Sequence, residues 1–198
     1  MAGHFEPLPG GGAAVALDEV EISILRSLAL QLAELIGPGE EPAEQDDPLA
    51  SLFTEGPSEP PSDPALRRLF PDAYGDPAKP GREDGELRGY SAEFRRFTEN
   101  DLRGRKRADA LAVIRSLDAV AAEGDGGGVL KLTPDASRQW LGTLNDLRLT
   151  IGTRLEVADE DEDGELYRLP DSDPRKPMVM AYLWLGALQE TLIETLTP

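Results

Sequence analysis

Apolar residues recur along the chain mainly at helical spacing; strict alternation is confined to short stretches. Leu25, Leu28, Leu32, Leu35 and Ile36 follow Asp18 and Glu21, an acidic form of the N-capping pattern, and the run stops at Gly37-Pro38. This predicts a helix over 18–36. Ser91 opens a helical segment, SAEFRRF, and Thr98 with Asp101 gives a second start signal for a helix over 98–122, which ends at the glycine run GDGGG. Thr133-Pro134 opens the next helix, with threonine as cap and proline in the first helical position, and periodicity carries it to about Glu156. Pro174 and Pro177 precede a last helix over 175–195, apolar nearly all round and therefore expected to lie centrally.

The stretches between are short or poor in apolar residues. FEPLPGGGAAVAL, 5–17, sets three glycines between two apolar segments and suggests a loose hairpin or an extended arm. Residues 37–64 hold seven prolines, many acids and one apolar knot, Leu49 to Phe53. Such a segment cannot bury enough surface to offset its ordering entropy, so it reads as a disordered acidic insertion with a short helix at 48–53. A brief helix is expected at PALRRLF, 64–70, and a Pro/Gly loop at 71–86. VLKL, 129–132, has strand character, and ELYRL, 165–169, is a candidate partner strand. The class is mainly α: a single-domain bundle of about four principal helices with minor strands and a long acidic loop insertion. Residues 1–17 form an arm or hairpin, and 18–198 the helical domain.

Several polar side chains interrupt the apolar faces. With Trp140 at zero on a helical wheel, Arg148 falls near ~80°, among Leu141, Leu144, Leu147, Ile151 and Leu155. A guanidinium there needs acceptors, because an unpaired buried charge costs several kcal/mol. The same construction on the first helix places Glu21 between Leu28 and Leu32. A structural Glu21–Arg148 ion pair is therefore expected, ordering a helix–helix interface. Asn145 and Gln189 are expected as satisfied polar groups in the core, Arg154 as a rim residue tethering the acidic loop after it, and Gly152 as a site of close helix packing.

Composition removes much chemistry. The chain has no cysteine and one histidine, His4, which excludes disulfides, zinc–thiolate sites, iron–sulfur clusters and His-based triads. A formal net charge of −18 and a pI of about 4.4 oppose non-specific binding to DNA or anionic membranes. No signal peptide is evident, and the longest apolar run, MVMAYLWLGAL, is well short of the ~20 residues a membrane span needs; the expected location is cytoplasmic. Asp159, Asp161, Asp163 and Gly164 imitate the opening of a calcium loop, but Pro170 stands where the closing glutamate belongs, so a solvated acidic loop is the better reading. No phosphate loop, dinucleotide fingerprint or catalytic set emerges, and neither metal nor cofactor is expected. The one basic concentration is Arg88, Arg95, Arg96, Arg103, Arg105, Lys106 and Arg107. It suits an acidic protein partner, nucleic acid, or the chain's own acidic insertions, which are tethered at high effective concentration. Arg103 and Lys106 share a wheel face with Val113 and Leu117, so this end of the helix is expected to project past the core.

Trp140, Leu144-Asn145-Asp146-Leu147-Arg148-Leu149, Gly152, Arg154 and Leu155 resemble the hallmark of an actinobacterial family of unknown function that includes the actinomycete oxidative-stress regulator. Leu17 to Glu21, Phe94-Arg95-Arg96 through Leu102-Arg103, and Tyr182, Trp184, Leu185, Leu188, Gln189 and Glu190 are similar to further blocks of it. The resemblance implies a cytoplasmic regulatory protein, with transcription or proteolysis machinery as partner; some relatives act with an RNA polymerase sigma factor and sense redox through paired cysteines. Since this chain has none, thiol sensing does not transfer. The reading that results is a non-enzymatic regulatory or adaptor protein working through protein–protein contacts, with the basic segment 88–107 as partner surface and the last helix as a homodimer contact. A DNA-associated transcription factor using the same segment is the alternative, disfavoured by charge, and an enzyme or small-ligand binder is a remote one.

Overall fold

The structure is a computed structural model and describes residues 3–38, 55–75, 85–123, 126–157 and 165–197. The expected helix at 48–53, most of the acidic insertion and the calcium-like loop at 159–164 lie outside the described residues. The fold is mainly α, with five helices, four of them long, and a small three-stranded sheet among the described residues.

Strands β1 (Glu6–Pro7) and β2 (Ala13–Asp18) form a hairpin, and β2 pairs antiparallel with β3 (Gly127–Leu132), Val15 opposite Leu130. Alternation decides the buried face: Ala13, Val15 and Leu17 point inward with Leu130 and Leu132. Gly12 permits the approach, since at its φ of +88° a Cβ would lie 2.1 Å from the Leu132 carbonyl oxygen. The 165–169 segment is not a strand; Glu165–Arg168 is a 3₁₀ turn. VLKL pairs instead with the N-terminal hairpin, whose alternating apolar face offers what a single 3₁₀ turn cannot.

β2 runs straight into α1 (Glu19–Ile36) through a complete capping box: Asp18 accepts from the Glu21 amide at 2.8 Å, and Glu21 accepts from the Asp18 amide at 3.0 Å. Ile22, Leu25, Ala29, Leu32, Ala33 and Ile36 bury one face. After the short α2 (Pro64–Leu69), capped by Asp63, comes α3 (Gly85–Glu123), a continuous helix of 39 residues. The two expected starts therefore merge. Thr98 does not cap; its hydroxyl donates back to the Phe94 carbonyl at 2.8 Å, which a threonine inside a helix does at little cost. Helix α4 (Pro134–Arg154), capped by Thr133, and α5 (Lys176–Leu196) complete the bundle.

The central helix is α4, not α5. It touches α1, α2, α3, α5 and β3, and Trp140, Leu144, Leu147 and Ile151 fill the core around it. Trp140 meets Phe5 edge-on at 5.9 Å and donates its indole N–H to Ser116 at 3.1 Å, so the largest core side chain is also polar-satisfied. α5 packs against α4 and β1, and Met178, Met180, Leu183 and Ile193 stay exposed. Gly152 does allow close packing: a Cβ there would sit 3.3 Å from the Tyr182 ring on α5.

The expected Glu21–Arg148 pair is not formed. Glu21 is spent on the capping box and on the Gly3 amide, at 3.3 Å, while Arg148 turns to α5 and donates to Gln189 at 2.6 Å. A wheel gives only the angle about one axis; it cannot say that α1 and α5 approach α4 from different sides. Glu21→Ala should cost about 0.5–1 kcal/mol through the lost cap. Arg148→Met should neither relieve nor deepen that cost, the two adding within ~0.5 kcal/mol in urea denaturation.

Candidate functional site

The N-terminal half of α3 is built the wrong way round for a surface helix. Its buried residues are Ser91, Arg95 and Glu99, at 4%, 4% and 3% exposure. Further along the same helix the inner face turns apolar, with Ala110, Val113, Ile114 and Leu117. The Arg95 guanidinium pairs with Glu99 one turn on, and donates to the Phe70 carbonyl at 3.0 Å and to Asp72 at 2.8 Å. Glu99 also takes Arg103, whose Nε lies 2.9 Å away. Arg103 in turn donates to the Ile36 carbonyl at the end of α1, at 2.7 Å, and sits 4.3 Å over the Phe70 ring. One carboxylate thus holds two guanidiniums. Ser91 adds a two-way clasp on the Tyr74 backbone, accepting from its N–H at 3.1 Å and donating to its carbonyl at 3.0 Å.

The rest of the basic segment is partly committed as well. Arg96 pairs with Glu55, which lies in the C-terminal part of the acidic insertion, and Lys106 pairs with the buried Asp146 of α4 at 2.6 Å. Arg96 is held charged above its ordinary range, first by its hydrogen bond to Glu55 and then by that residue's charge. Arg103 and Lys106 do not project past the core, because carboxylates and carbonyls meet them inside. Arg88 and Arg105 are exposed, and Arg107 is half-buried with its Nε hidden and unpaired. The face turned to solvent carries aromatics instead: Tyr90, Phe94 and Phe97, spaced four and three apart, are 54%, 49% and 64% exposed. Tyr74 packs edge-on to Tyr90 at 6.1 Å and to Phe94 at 6.3 Å, and Arg96 stands 5.8 Å from the Phe97 ring centre. The ridge is therefore held in shape from beneath. The arginines mark this segment in the sequence, but the aromatics were there to be read too, in GYSAEFRRF, 89–97, as Tyr90, Phe94 and Phe97.

At the α4–α5 seam, Arg148, Gly152, Tyr182 and Gln189, all among the residues that carry the family resemblance, come together. The Arg148 guanidinium lies 5.2 Å over the Tyr182 ring, and its Nε is hidden with no acceptor. Gln189 is thus a half-buried acceptor, whereas Asn145 is exposed and no part of a polar core. The core acid is Asp146, which sequence reading missed; Thr143, Asp146 and Thr150, three and four apart and all buried, form a second stripe on α4 that a single apolar arc hides. Arg154 is exposed, and the loop it was expected to tether lies outside the described residues. Among the described residues no group of three or more His, Cys, Asp or Glu is placed to hold a metal, and no helix is long and apolar enough to cross a membrane.

Glu99→Ala should be the most damaging change in this region, about 3 kcal/mol, because it leaves Arg103 without its carboxylate and the buried Arg95 with Asp72 as its one remaining carboxylate among the described residues; chemical denaturation reads it directly. Asp109 supplies a pH test. Partial burial pushes its carboxyl above the ordinary range, opposed by hydrogen bonding to Gln139 and the charge of Arg105, and reinforced by Asp146. The folded state then binds this proton more readily than the unfolded chain, so stability from Asp109 falls as pH rises through the carboxylate range. Asp109→Asn should accordingly raise the melting temperature at neutral pH, and the gain should shrink on acidification.

The model of a family described as a domain of unknown function, DUF2017, matches residues 2–196. A Mycobacterium bovis protein named oxidative stress regulator AosR is 32% identical over 179 residues, covering 87% of this chain and 77% of that one. A Mycobacterium tuberculosis protein of the same name matches to the same extent, with 32% identity over 179 residues. A Mycobacterium leprae relative is 29% identical over 177 residues, again covering 87% of this chain and 77% of its own. No solved structure matches. The blocks around Trp140, Arg95 and Tyr182 thus sit inside a match that runs nearly end to end, and the chain belongs to the DUF2017 family.

Proposed function

We propose that this chain is a non-enzymatic regulatory protein that binds a protein partner through the Tyr90–Phe94–Phe97 ridge of α3, in stress-linked control of transcription. The observation that carries the reading is the inverted helix: charges lie inside and three aromatics outside, at helical spacing, on a segment clamped by Arg95, Glu99 and Ser91. Aromatic residues with an adjacent arginine are the side chains that contribute most to protein interfaces, and a rigid ridge loses little entropy on binding. The names of the mycobacterial relatives, oxidative stress regulators, support the regulatory half of the reading. The resemblance to relatives that act with a sigma factor makes transcription machinery the first partner to try. The DNA-associated alternative draws less support, since Arg95, Arg96, Arg103 and Lys106 are already engaged with carboxylates of the chain itself.

The test is capture from an oxidatively stressed actinobacterial lysate, with the whole chain as bait and bound proteins identified by mass spectrometry. Phe94→Ser with Phe97→Ser should lower recovery of the partner by about tenfold or more, with helical circular dichroism unchanged because both side chains are exposed. Equal capture by the variant, or no reproducible partner, would sink the reading. Salt-dependent promoter binding lost on reversing Arg88, Arg105 and Arg107 would favour the alternative.

A further inference from the structure

Helix α5 carries more apolar surface than the described chain covers. A helix apolar nearly all round belongs in an interior, yet α5 buries only Val179, Leu185, Leu188 and Leu192, and leaves Met178, Met180, Leu183 and Ile193 between 39% and 53% exposed. Its outer side is ordered: Gly186 and Ala187 stand three and four residues after Leu183, Glu190 three after Ala187, and Ile193 and Glu194 three and four after Glu190, and all line one open groove together with Arg148. That spacing is the signature of a helix-packing stripe; the exposed Ala187 at its middle lets a second helix come close, while Gly186 makes room for the chain's own Arg148 guanidinium, 3.5 Å from where a Cβ would stand.

We propose that this stripe is the interface of a two-fold homodimer, α5 packed antiparallel on α5 of a second copy. Charge in the groove selects the occupant. Arg148 donates one hydrogen bond, to neutral Gln189, and has no carboxylate partner among the described residues, with its Nε unsatisfied. Glu190 and Glu194 border the same groove without a cation among the described residues. A groove holding both a lone guanidinium and lone carboxylates is complementary to itself, as an isologous interface requires. With the helices crossing at Ala187, Glu190 lies three residues beyond the crossing, about 4.5 Å along the axis. That level on the other copy is between Tyr182 and Gln189, where Arg148 of the partner subunit stands. Each copy carries −18, but repulsion between the two is screened over about 8 Å at physiological ionic strength, so contacts within the stripe govern the association. This surface is separate from the aromatic ridge and stands without the function proposed above.

Sedimentation of the whole chain at ~50 µM should give a species of twice 21.4 kDa, as a dissociation constant of about 1 µM requires. Leu183→Glu and Ile193→Glu should each weaken it about tenfold or more, with helical circular dichroism retained. The decisive arm is complementation. Glu190→Lys with Glu194→Lys opposes Arg148 across the axis, and Arg148→Glu opposes the native glutamates, so each should be monomeric alone. Mixed, they restore both pairs and should form a heterodimer. A monomeric wild type, a dimer indifferent to Leu183→Glu, or a mixture that stays monomeric would each overturn the proposal. Should Arg148→Glu fail to fold, Leu183→Glu tests the same face without touching that residue.

Discussion

One buried carboxylate, Glu99, organises the upper half of the molecule. Through Arg95 it reaches the Phe70 carbonyl at the end of α2 and, beside it, Asp72; through Arg103 it reaches the last carbonyl of α1. Two separate stretches of chain, the one after α2 and the end of α1, are thereby tied to about two turns of α3. An apolar contact could supply comparable energy, but it would be indifferent to small slides along the helix. Guanidinium forks accept only a narrow set of acceptor positions, so this half of α3 is registered as well as attached. The cost of removing these charges from water is met only because each has several partners in place, which is why the cluster behaves as a unit.

That choice has an effect on the opposite face. A helix anchored by charges need not spend its aromatics on the core, and α3 presents Tyr90, Phe94 and Phe97 outward over the Arg95–Glu99 pair. Lower down, the same helix reverts to ordinary design, with Leu117 and Val113 packed inside and Lys106 paired with Asp146 at the transition. The long helix thus joins a conventional core to a presented surface without a break at Thr98. Rigidity there follows from continuity of the backbone hydrogen bonds, not from packing on both sides.

Local signals were legible wherever the physics was local. Asp18 with Glu21, Thr133-Pro134 and Gly37 announce helix ends through caps whose bonds span three or four residues. The mainly α class and the family resemblance were readable for the same reason, being carried by segments such as Leu144 to Leu155. What could not be read was which helix neighbours which. Arg148 has an acceptor on α5 rather than α1, and α4 rather than α5 occupies the centre, because those facts depend on how five helices share space. The candidate surface was half visible. The segment 88–107 was the right stretch, but its arginines drew the eye, and only the packing separates those engaged inside, such as Arg95, from the aromatics left outside.

The acidic insertion leaves one helix and returns to another at two fixed points. Helix α1 stops at Gly37, whose amide is held by the Ala33 carbonyl at 3.1 Å, and the chain returns where Gly56 donates to the Arg96 carbonyl at 2.7 Å with Glu55 paired to Arg96. Both gateposts are therefore fixed to helices, independently of what passes between them. For a span bounded in this way, doubling its length adds only about 0.6 kcal/mol of closure entropy. The register of the helices on either side is thus set by these two anchor points, Gly37 on α1 and Gly56 on α3.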